Sequence, residues 1–167
     1  MKALITVASK HGATLELGRA MAEVLEERGL AVDLSPPEKV KSLGGYDLII
    51  LGSGVYANKM LPTMTALCYR WGDQLSARPV YLFCSGPLDA APGQTALVPY
   101  EARDLARQVG AHSVKLFGGR MELSELRPAE RALMRMSGAK AGDYRDWDEV
   151  LRWAGEVADH AQAHLHA

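Results

Sequence analysis

Short apolar runs alternate with amphipathic segments along the whole chain. Runs rich in apolar residues predict β-strands at 3–7, 31–34, 47–51, 80–84 and 113–117. Between them, apolar residues recur every three or four positions, which predicts helices. The alternation predicts an α/β fold of the doubly wound type, in which helices cover both faces of a parallel sheet.

The helices have recognisable ends. They are predicted at 14–28, from Pro62, at 100–108, from Pro128 and from Asp146 onward. Gly29 stands where a C-terminal cap belongs. Asp146 and Glu149 form an aspartate variant of the capping box before the last helix. A basic segment at about 120–145 is additional to a five-stranded fold, and we expect it to belong to a single domain of residues 1–167.

A hydroxyl-rich turn follows the first strand. It contains Ser9, Lys10, His11, Gly12, Ala13 and Thr14. Because a helix N-terminus offers unpaired N–H groups and partial positive charge, this turn suits a single terminal phosphate. It lacks both the Gly-Lys-Ser/Thr of a P-loop and the G-x-G-x-x-G of dinucleotide folds. The alternative is an ordinary turn in which Ser9 or Thr14 caps the helix.

Three loops are expected at one edge of the sheet. The carboxyl ends of parallel strands lie together, so loops 9–14, 52–58 and 84–95 should border one site. This arrangement predicts a flat ligand that ends in phosphate. The run 52–57 also matches G-x-G-x-x-A, but the next helix begins only at Pro62, which argues against a dinucleotide fingerprint.

Composition narrows the possible functions. The 167 residues are 48% hydrophobic and 23% charged, which suits one globular domain, and the formal net charge of −1 argues against nucleic-acid binding. Cys68 and Cys84 form no C-x-x-C and are expected to be reduced and buried. No metal site is expected, because His160 and His164 lack a third ligand and His112 has no evident partner. The chain shows no signal-peptide pattern or membrane-spanning run.

The turn and the two later loops resemble the flavodoxin family, whose phosphate loop has the pattern hydroxyl-x-x-Gly-x-Thr. The resemblance implies a flavodoxin-like three-layer sandwich with five parallel strands in the order 2-1-3-4-5, and FMN as the cofactor. It assigns the phosphate to Ser9, Lys10, His11, Gly12, Ala13 and Thr14. It assigns the borders of the isoalloxazine to Ser53, Gly54, Val55, Tyr56 and Ala57, and the other wall to Cys84, Ser85 and Gly86. The Gly54 peptide could adopt two orientations beside the flavin, and Tyr56 could stack on the ring.

The additional segment is similar to that of menaquinone-dependent protoporphyrinogen oxidases. The similarity lies in a basic, Met-rich run from Arg127 to Gly138 and a following Asp146-Trp147. It implies an FMN-dependent oxidoreductase of heme biosynthesis that passes electrons from a reduced tetrapyrrole, a porphyrinogen, to a quinone. Arg127, Arg131 and Arg135 recur every four residues and form one stripe, which could contact substrate propionates or an anionic membrane. A solvated helix face is the alternative.

Other functions remain open at this stage. A flavodoxin-type electron carrier that works with a partner reductase is the main alternative, although it predicts a strongly acidic docking face. A flavin-dependent NAD(P)H:quinone reductase would need a nicotinamide fingerprint that is not evident. A flavin-free interaction protein is a third class. The protein is expected in the cytoplasm, either free or peripherally attached at the inner face of the cell membrane.

Overall fold

The computed structural model describes residues 1–86, 97–138 and 140–167. The strands are β1 (Lys2–Ala8), β2 (Ala31–Ser35), β3 (Leu48–Tyr56), β4 (Lys59–Met60), β5 (Val80–Gly86), β6 (Ser113–Gly118), β7 (Arg120–Met121) and β8 (Gly142–Asp143). The α-helices are α1 (Ala13–Glu27), α2 (Pro62–Ser76), α3 (Tyr100–Gln108), α4 (Pro128–Ser137) and α5 (Trp147–Leu165). Short 3-10 helices lie at Pro37–Lys39 and Leu123–Glu125.

The main sheet is parallel, with the order β2-β1-β3-β5-β6. The short β4 pairs antiparallel with the end of β3 and forms a hairpin outside this path. Counting only the parallel strands, the order is 2-1-3-4-5, so the predicted flavodoxin-like topology is confirmed. The carboxyl ends of β1, β3 and β5 are neighbours in the sheet.

Two apolar clusters cover the two faces of the sheet. Ile5, Ile50 and Phe83 pack with residues of α1 and α5. Leu4 and Ile49 belong to the second cluster, which includes residues of α2 and α3. Successive strand residues point to opposite faces, so continuous apolar runs in the central strands supply both clusters. This is the doubly wound sandwich that the sequence predicts.

The predicted loop 52–58 is wrong in its first half, because β3 continues to Tyr56. Gly52 pairs with Val7 on one side and Phe83 on the other, as the strand requires. A Cβ at Gly52 would lie 2.2 Å from Cζ of Phe83, so this glycine makes room for a core ring. Similarly, β5 extends to Gly86 instead of ending at residue 84. The rest of the predicted loop 84–95, from residue 87, lies outside the described residues.

The additional segment forms a separate substructure between β6 and α5, outside the main sheet. It consists of β7, a 3-10 turn, α4 and β8, and it begins and ends where Arg120 pairs with Asp143. The helix predicted from Pro128 is confirmed, although none of the described α4 side chains is buried. The predicted cap of α5 is confirmed, since the Asp146 carboxylate accepts a hydrogen bond from the Glu149 amide at 3.2 Å. We call residues 120–145 the insertion.

Candidate functional site at the carboxyl edge

A cavity of about 320 Å³ opens at the carboxyl edge of the sheet. Residues of the turn after β1 line it, namely Ser9, Lys10, His11, Ala13 and Thr14. Residues from the ends of β3 and β5 also line it, namely Val55, Tyr56, Ala57, Ser85 and Gly86. The structure therefore brings together most of the residues predicted for one site, although they come from three separate parts of the sequence.

Several predicted site residues lie outside the cavity lining. Gly12 is the N-cap of α1, and Ser53 and Gly54 lie within β3. Cys84 is fully buried in the core cluster of α2 and α3, where burial raises the pKa of its thiol to about 12. Of the three residues predicted for this wall, Ser85 and Gly86 line the cavity and Cys84 does not, because the alternation of β5 turns the Cys84 side chain into the core. The arginines of the predicted stripe, Arg127, Arg131 and Arg135, are exposed and do not line the cavity.

The turn after β1 leaves the start of α1 open to an anion. Gly12 has a φ of 88°, in the left-handed region that favours glycine. Its amide donates to Oγ of Ser9 at 3.0 Å, and α1 has no side-chain cap. Neither Ser9 nor Thr14 therefore caps α1. The unpaired amides and the partial positive charge of the first helical turn remain suited to a phosphate.

Ser53 and Gly54 support the wall formed by the end of β3. The Ser53 hydroxyl donates to the Gly54 carbonyl at 2.8 Å and accepts from the Leu61 amide at 2.9 Å. In the structure the Gly54 carbonyl has one orientation, held by this bond from Ser53, and a second orientation beside a flavin stays a prediction. A Cβ at Gly54 would lie 3.2 Å from Cε2 of Tyr56 and 3.3 Å from Oγ1 of Thr14. Glycine thus lets β3 approach the turn closely.

Tyr56 borders both the turn and the insertion. Its ring centroid lies 5.3 Å from Nζ of Lys10 and 6.4 Å from the ring centroid of His11. Burial, with Glu130 and Glu125 nearby, raises the pKa of Tyr56 to about 12. The phenol consequently stays protonated at neutral pH and offers a neutral ring face to a ligand.

Glu130 of α4 connects the insertion to the turn, a contact that the sequence analysis missed. Its Oε2 lies 3.0 Å from Nζ of Lys10 and 3.3 Å from Nε2 of His11, and its Oε1 accepts from the Arg127 amide at 3.2 Å. Burial opposes ionisation, but the hydrogen bonds from Lys10, the Arg127 amide and His11 lower the pKa of Glu130 to about 2. Glu130 therefore links α4 directly to the turn after β1.

A second group of ion pairs fastens the base of the insertion to α1. The Arg145 side chain is only 6% exposed and donates to Asp143 at 2.8 and 2.9 Å, to the Ala13 carbonyl at 3.4 Å and to Glu16. The Asp143 pKa is lowered chiefly by the hydrogen bond from Arg145. The contacts of Arg145 with Ala13 and Glu16 join positions far apart in sequence, so no local spacing could have indicated them.

Three histidines, His112, His160 and His164, lie together at the opposite edge of the sheet, beside the amino ends of β5 and β6. The His112 ring centroid is 5.2 Å from that of His160 and 5.7 Å from that of His164, so the expectation that His112 has no partner was wrong. The Tyr81 hydroxyl also bonds Nδ1 of His160. In residues 1–86, 97–138 and 140–167, no group of three or more His, Cys, Asp or Glu side chains is placed to hold a metal ion.

The fold and the open helix start at its ligand edge define a doubly wound α/β protein of the nucleotide-binding class. A family model described as the flavodoxin domain matches residues 4–148. The chain therefore belongs to the flavodoxin domain family. No curated protein matches the sequence significantly.

Solved structures of flavodoxins share the fold. A flavodoxin from the domain Archaea has a TM-score of 0.63 at 17% identity, over 97% of this chain and 99% of that chain. A flavodoxin of Streptococcus pneumonia TIGR4 has a TM-score of 0.63 at 16% identity, over 98% and 99%. Rubredoxin oxygen:oxidoreductase from Desulfovibrio gigas has a TM-score of 0.64 at 16% identity, over 99% of this chain but only 37% of that chain.

Flavodoxins are FMN proteins, so membership of the family confirms FMN as the predicted cofactor. The cavity fits such a ligand, because polar groups of the turn lie at one end and Val55, Leu126 and Leu133 provide apolar surface elsewhere. The comparisons support a flavodoxin in general and do not single out protoporphyrinogen oxidases. None of the described helices is both long and apolar enough to cross a bilayer.

Proposed function

We propose that this protein is a flavodoxin-type electron-transfer protein that holds FMN in the cavity and exchanges electrons with a partner redox protein. The observation that carries this proposal is the convergence of the turn after β1 with the ends of β3 and β5 around one cavity. When bound, FMN supplies the redox chemistry, and the protein binds and orients it.

The residues of the cavity have distinct roles in this proposal. The first turn of α1, with the hydroxyls of Ser9 and Thr14, holds the phosphate, and Lys10 supplies positive charge beside it. Tyr56 offers a ring face for stacking. The short side chains of Ser85 and Gly86 leave room for a planar ring on the other side.

The chain length of one structural relative supports the proposal that this protein works together with a partner redox protein. In rubredoxin oxygen:oxidoreductase the matching region is 37% of a longer redox chain. The region similar to this chain is thus one part of a longer oxidoreductase. For this chain, we propose a separate redox protein as the partner, which docks beside the exposed Ala57-Asn58 turn.

Reconstitution tests the proposal directly. The purified protein should bind FMN, quench its fluorescence and be reduced anaerobically by NADPH through a flavodoxin reductase. Riboflavin should bind more weakly, because it lacks the phosphate. A protein that stays colourless after incubation with excess FMN would refute the proposal.

A second candidate function is oxidation of a small reduced substrate, such as a porphyrinogen, with a quinone as electron acceptor. The observation that favours it is the apolar wall that the insertion adds to the cavity, formed by Met121, Leu126, Leu133 and Met134. A carrier that transfers electrons through an exposed cofactor edge needs no such wall. An enclosed apolar surface suits a large hydrophobic ring.

Anaerobic titration distinguishes the two candidates. If the FMN-loaded protein is an oxidase, protoporphyrinogen should bleach the flavin absorbance, and a menaquinone analogue should restore it. If only a partner reductase bleaches the flavin absorbance, the first candidate function, electron transfer with a partner protein, is supported. Apoprotein without FMN, treated identically, controls for spontaneous porphyrinogen oxidation.

The outer surface of α4 supports a proposal of peripheral contact with an anionic membrane. Arg127, Arg131 and Arg135 are all exposed and do not line the cavity, and Met136 on the same helix is 84% exposed. A basic helix with exposed apolar side chains is typical of helices that lie at a lipid surface. This contact would bring the cavity close to a membrane quinone.

A further inference from the structure

Arg120 is a cation in the cavity to which the proposed function assigns no role. Its side chain is 20% exposed and lines the cavity at the start of the insertion. Two glycines bring it there. A Cβ at Gly118 would lie 1.9 Å from the Tyr144 carbonyl oxygen, and one at Gly119 would lie 3.1 Å from the Gly86 carbonyl carbon. Glycine at 118 therefore makes room for the backbone of Tyr144, and glycine at 119 lets the chain pass close to Gly86 at the end of β5.

The guanidinium of Arg120 has donors that the described part of the chain does not satisfy. The nearest oxygens of Glu16, Glu122 and Glu125 lie 3.6, 3.7 and 3.6 Å away, beyond normal hydrogen-bond length. Among the described residues, its Nε is buried without a hydrogen-bond partner. The side chain as a whole lines the cavity and is partly exposed, so the guanidinium can donate to an acceptor oxygen that enters the cavity, and such charge-assisted hydrogen bonds are strong.

Arg145 shows that the insertion does not need Arg120 as its fastener. The Arg145 guanidinium donates to both carboxylate oxygens of Asp143, to Glu16 and to the Ala13 carbonyl. These bonds already join β8 to α1. The ion pairs of Arg120 are longer than those of Arg145. They hold the side chain in place, but the N–H groups of its guanidinium make no hydrogen bond of normal length to the described residues.

We propose that Arg120 is a flavin-binding residue whose guanidinium donates hydrogen bonds to an oxygen of the bound nucleotide. This inference rests on the proposed FMN function. The planar fork of arginine suits both types of acceptor that FMN carries, the phosphate and the carbonyl edge of the ring. The insertion thus adds a polar contact to the cofactor site as well as an apolar wall.

Equilibrium binding of two flavins tests this inference. Apoprotein is titrated with FMN and with riboflavin, and Kd is measured from the quenching of flavin fluorescence. We expect Arg120→Met to raise the Kd of FMN about tenfold to hundredfold, the usual effect of losing hydrogen bonds from a charged group. Arg131→Met is the matched control, because Arg131 belongs to the same insertion but does not line the cavity. It should leave both constants unchanged.

The two flavins identify the acceptor. Weaker binding of FMN alone places Arg120 on the phosphate, and equal weakening of FMN and riboflavin places it on the ring. If Arg120→Met binds both flavins like the wild type, the inference is wrong while the proposed function stands. If the wild type itself does not bind FMN, the proposed function is wrong, and the inference is then wrong as well because it depends on that function.

Circular dichroism of the apoproteins separates binding from folding. If Arg120→Met does not fold, Arg120→Lys decides, because lysine keeps the positive charge among the three carboxylates but lacks the planar fork. A folded Arg120→Lys that binds FMN at least threefold more weakly supports the inference. Unchanged affinity in that variant overturns it.

Discussion

Removal of the Glu130 charge should loosen α4 without unfolding the sheet. The contact is the salt bridge and hydrogen bond that Glu130 makes with Lys10 and His11 at 3.0 and 3.3 Å. Lowering a carboxyl pKa from 4.5 to about 2 corresponds to roughly 3 kcal/mol in favour of the charged form. Because Lys10 is 34% exposed, solvent screening reduces this to about 1.5 kcal/mol. That energy corresponds to about a tenfold change in the opening equilibrium of α4.

Hydrogen exchange measured by mass spectrometry reports this opening. In Glu130→Gln, amides of α4 should exchange about tenfold faster at pH 7, whereas those of β1 and β3 should not change. A carboxylate with a lowered pKa stabilises the closed form fully above pH 4.5, and the stabilisation is lost as the pH falls toward 2. The difference between the two proteins should therefore disappear in acid.

Glu122→Gln is the matched control for this experiment. Glu122 belongs to the same insertion, and its ion pair with Arg120 is longer, at 3.7 Å. It should leave α4 exchange nearly unchanged. If Glu130→Gln and Glu122→Gln exchange alike at pH 7, or if the effect of Glu130→Gln persists below pH 2, Glu130 does not hold α4 through its charge.

Three further perturbations test separate parts of the structure. Gly54→Ala should destabilise the protein by about 1–3 kcal/mol in chemical denaturation and should weaken FMN binding, because its Cβ would crowd two side chains at 3.2 and 3.3 Å. The matched control is Gly72→Ala, whose Cβ would meet nothing within 4 Å. It should leave the stability unchanged or increase it. Arg145→Met should cost about 1–2 kcal/mol in the same assay, because it removes the hydrogen bonds of a side chain that is only 6% exposed, whereas the carboxylates of Glu16 and Asp143 are 40% and 45% exposed and stay partly hydrated. A loss below about 0.5 kcal/mol would contradict this role. The double variant Arg131→Gln/Arg135→Gln should lower sedimentation with anionic vesicles, most strongly at low salt, whereas equal sedimentation of both proteins would argue against membrane contact.

Most strands and helices could be predicted because their signals are local, whereas the order of the strands in the sheet followed from the resemblance to flavodoxins. Apolar runs such as 47–51 and helix boundaries such as Pro62 and Asp146 depend on residues close in sequence. The end of β3 could not be predicted in this way. Gly52 resembles a loop residue locally, but it is required by the ring of Phe83 on the neighbouring strand. Contacts between strands thus decided where the strand ended.

The site could be predicted only in part for a similar reason. The turn after β1 was found because its hydroxyls and glycine lie within six consecutive residues, Ser9 to Thr14. The roles of Glu130 and Arg120 were missed, since each depends on a partner brought close only by the fold. Cys84 was misplaced because its orientation depends on the exact phase of β5, and a shift of one residue reverses the face.

The pairing of β7 with β8 places the entrance and the exit of the insertion side by side, where Arg120 faces Asp143. A segment anchored in this way can be lengthened, shortened or exchanged without moving the strands that precede it. Evolution could therefore alter the covering of the cofactor pocket and its choice of reaction partner, while the redox scaffold beneath stayed the same.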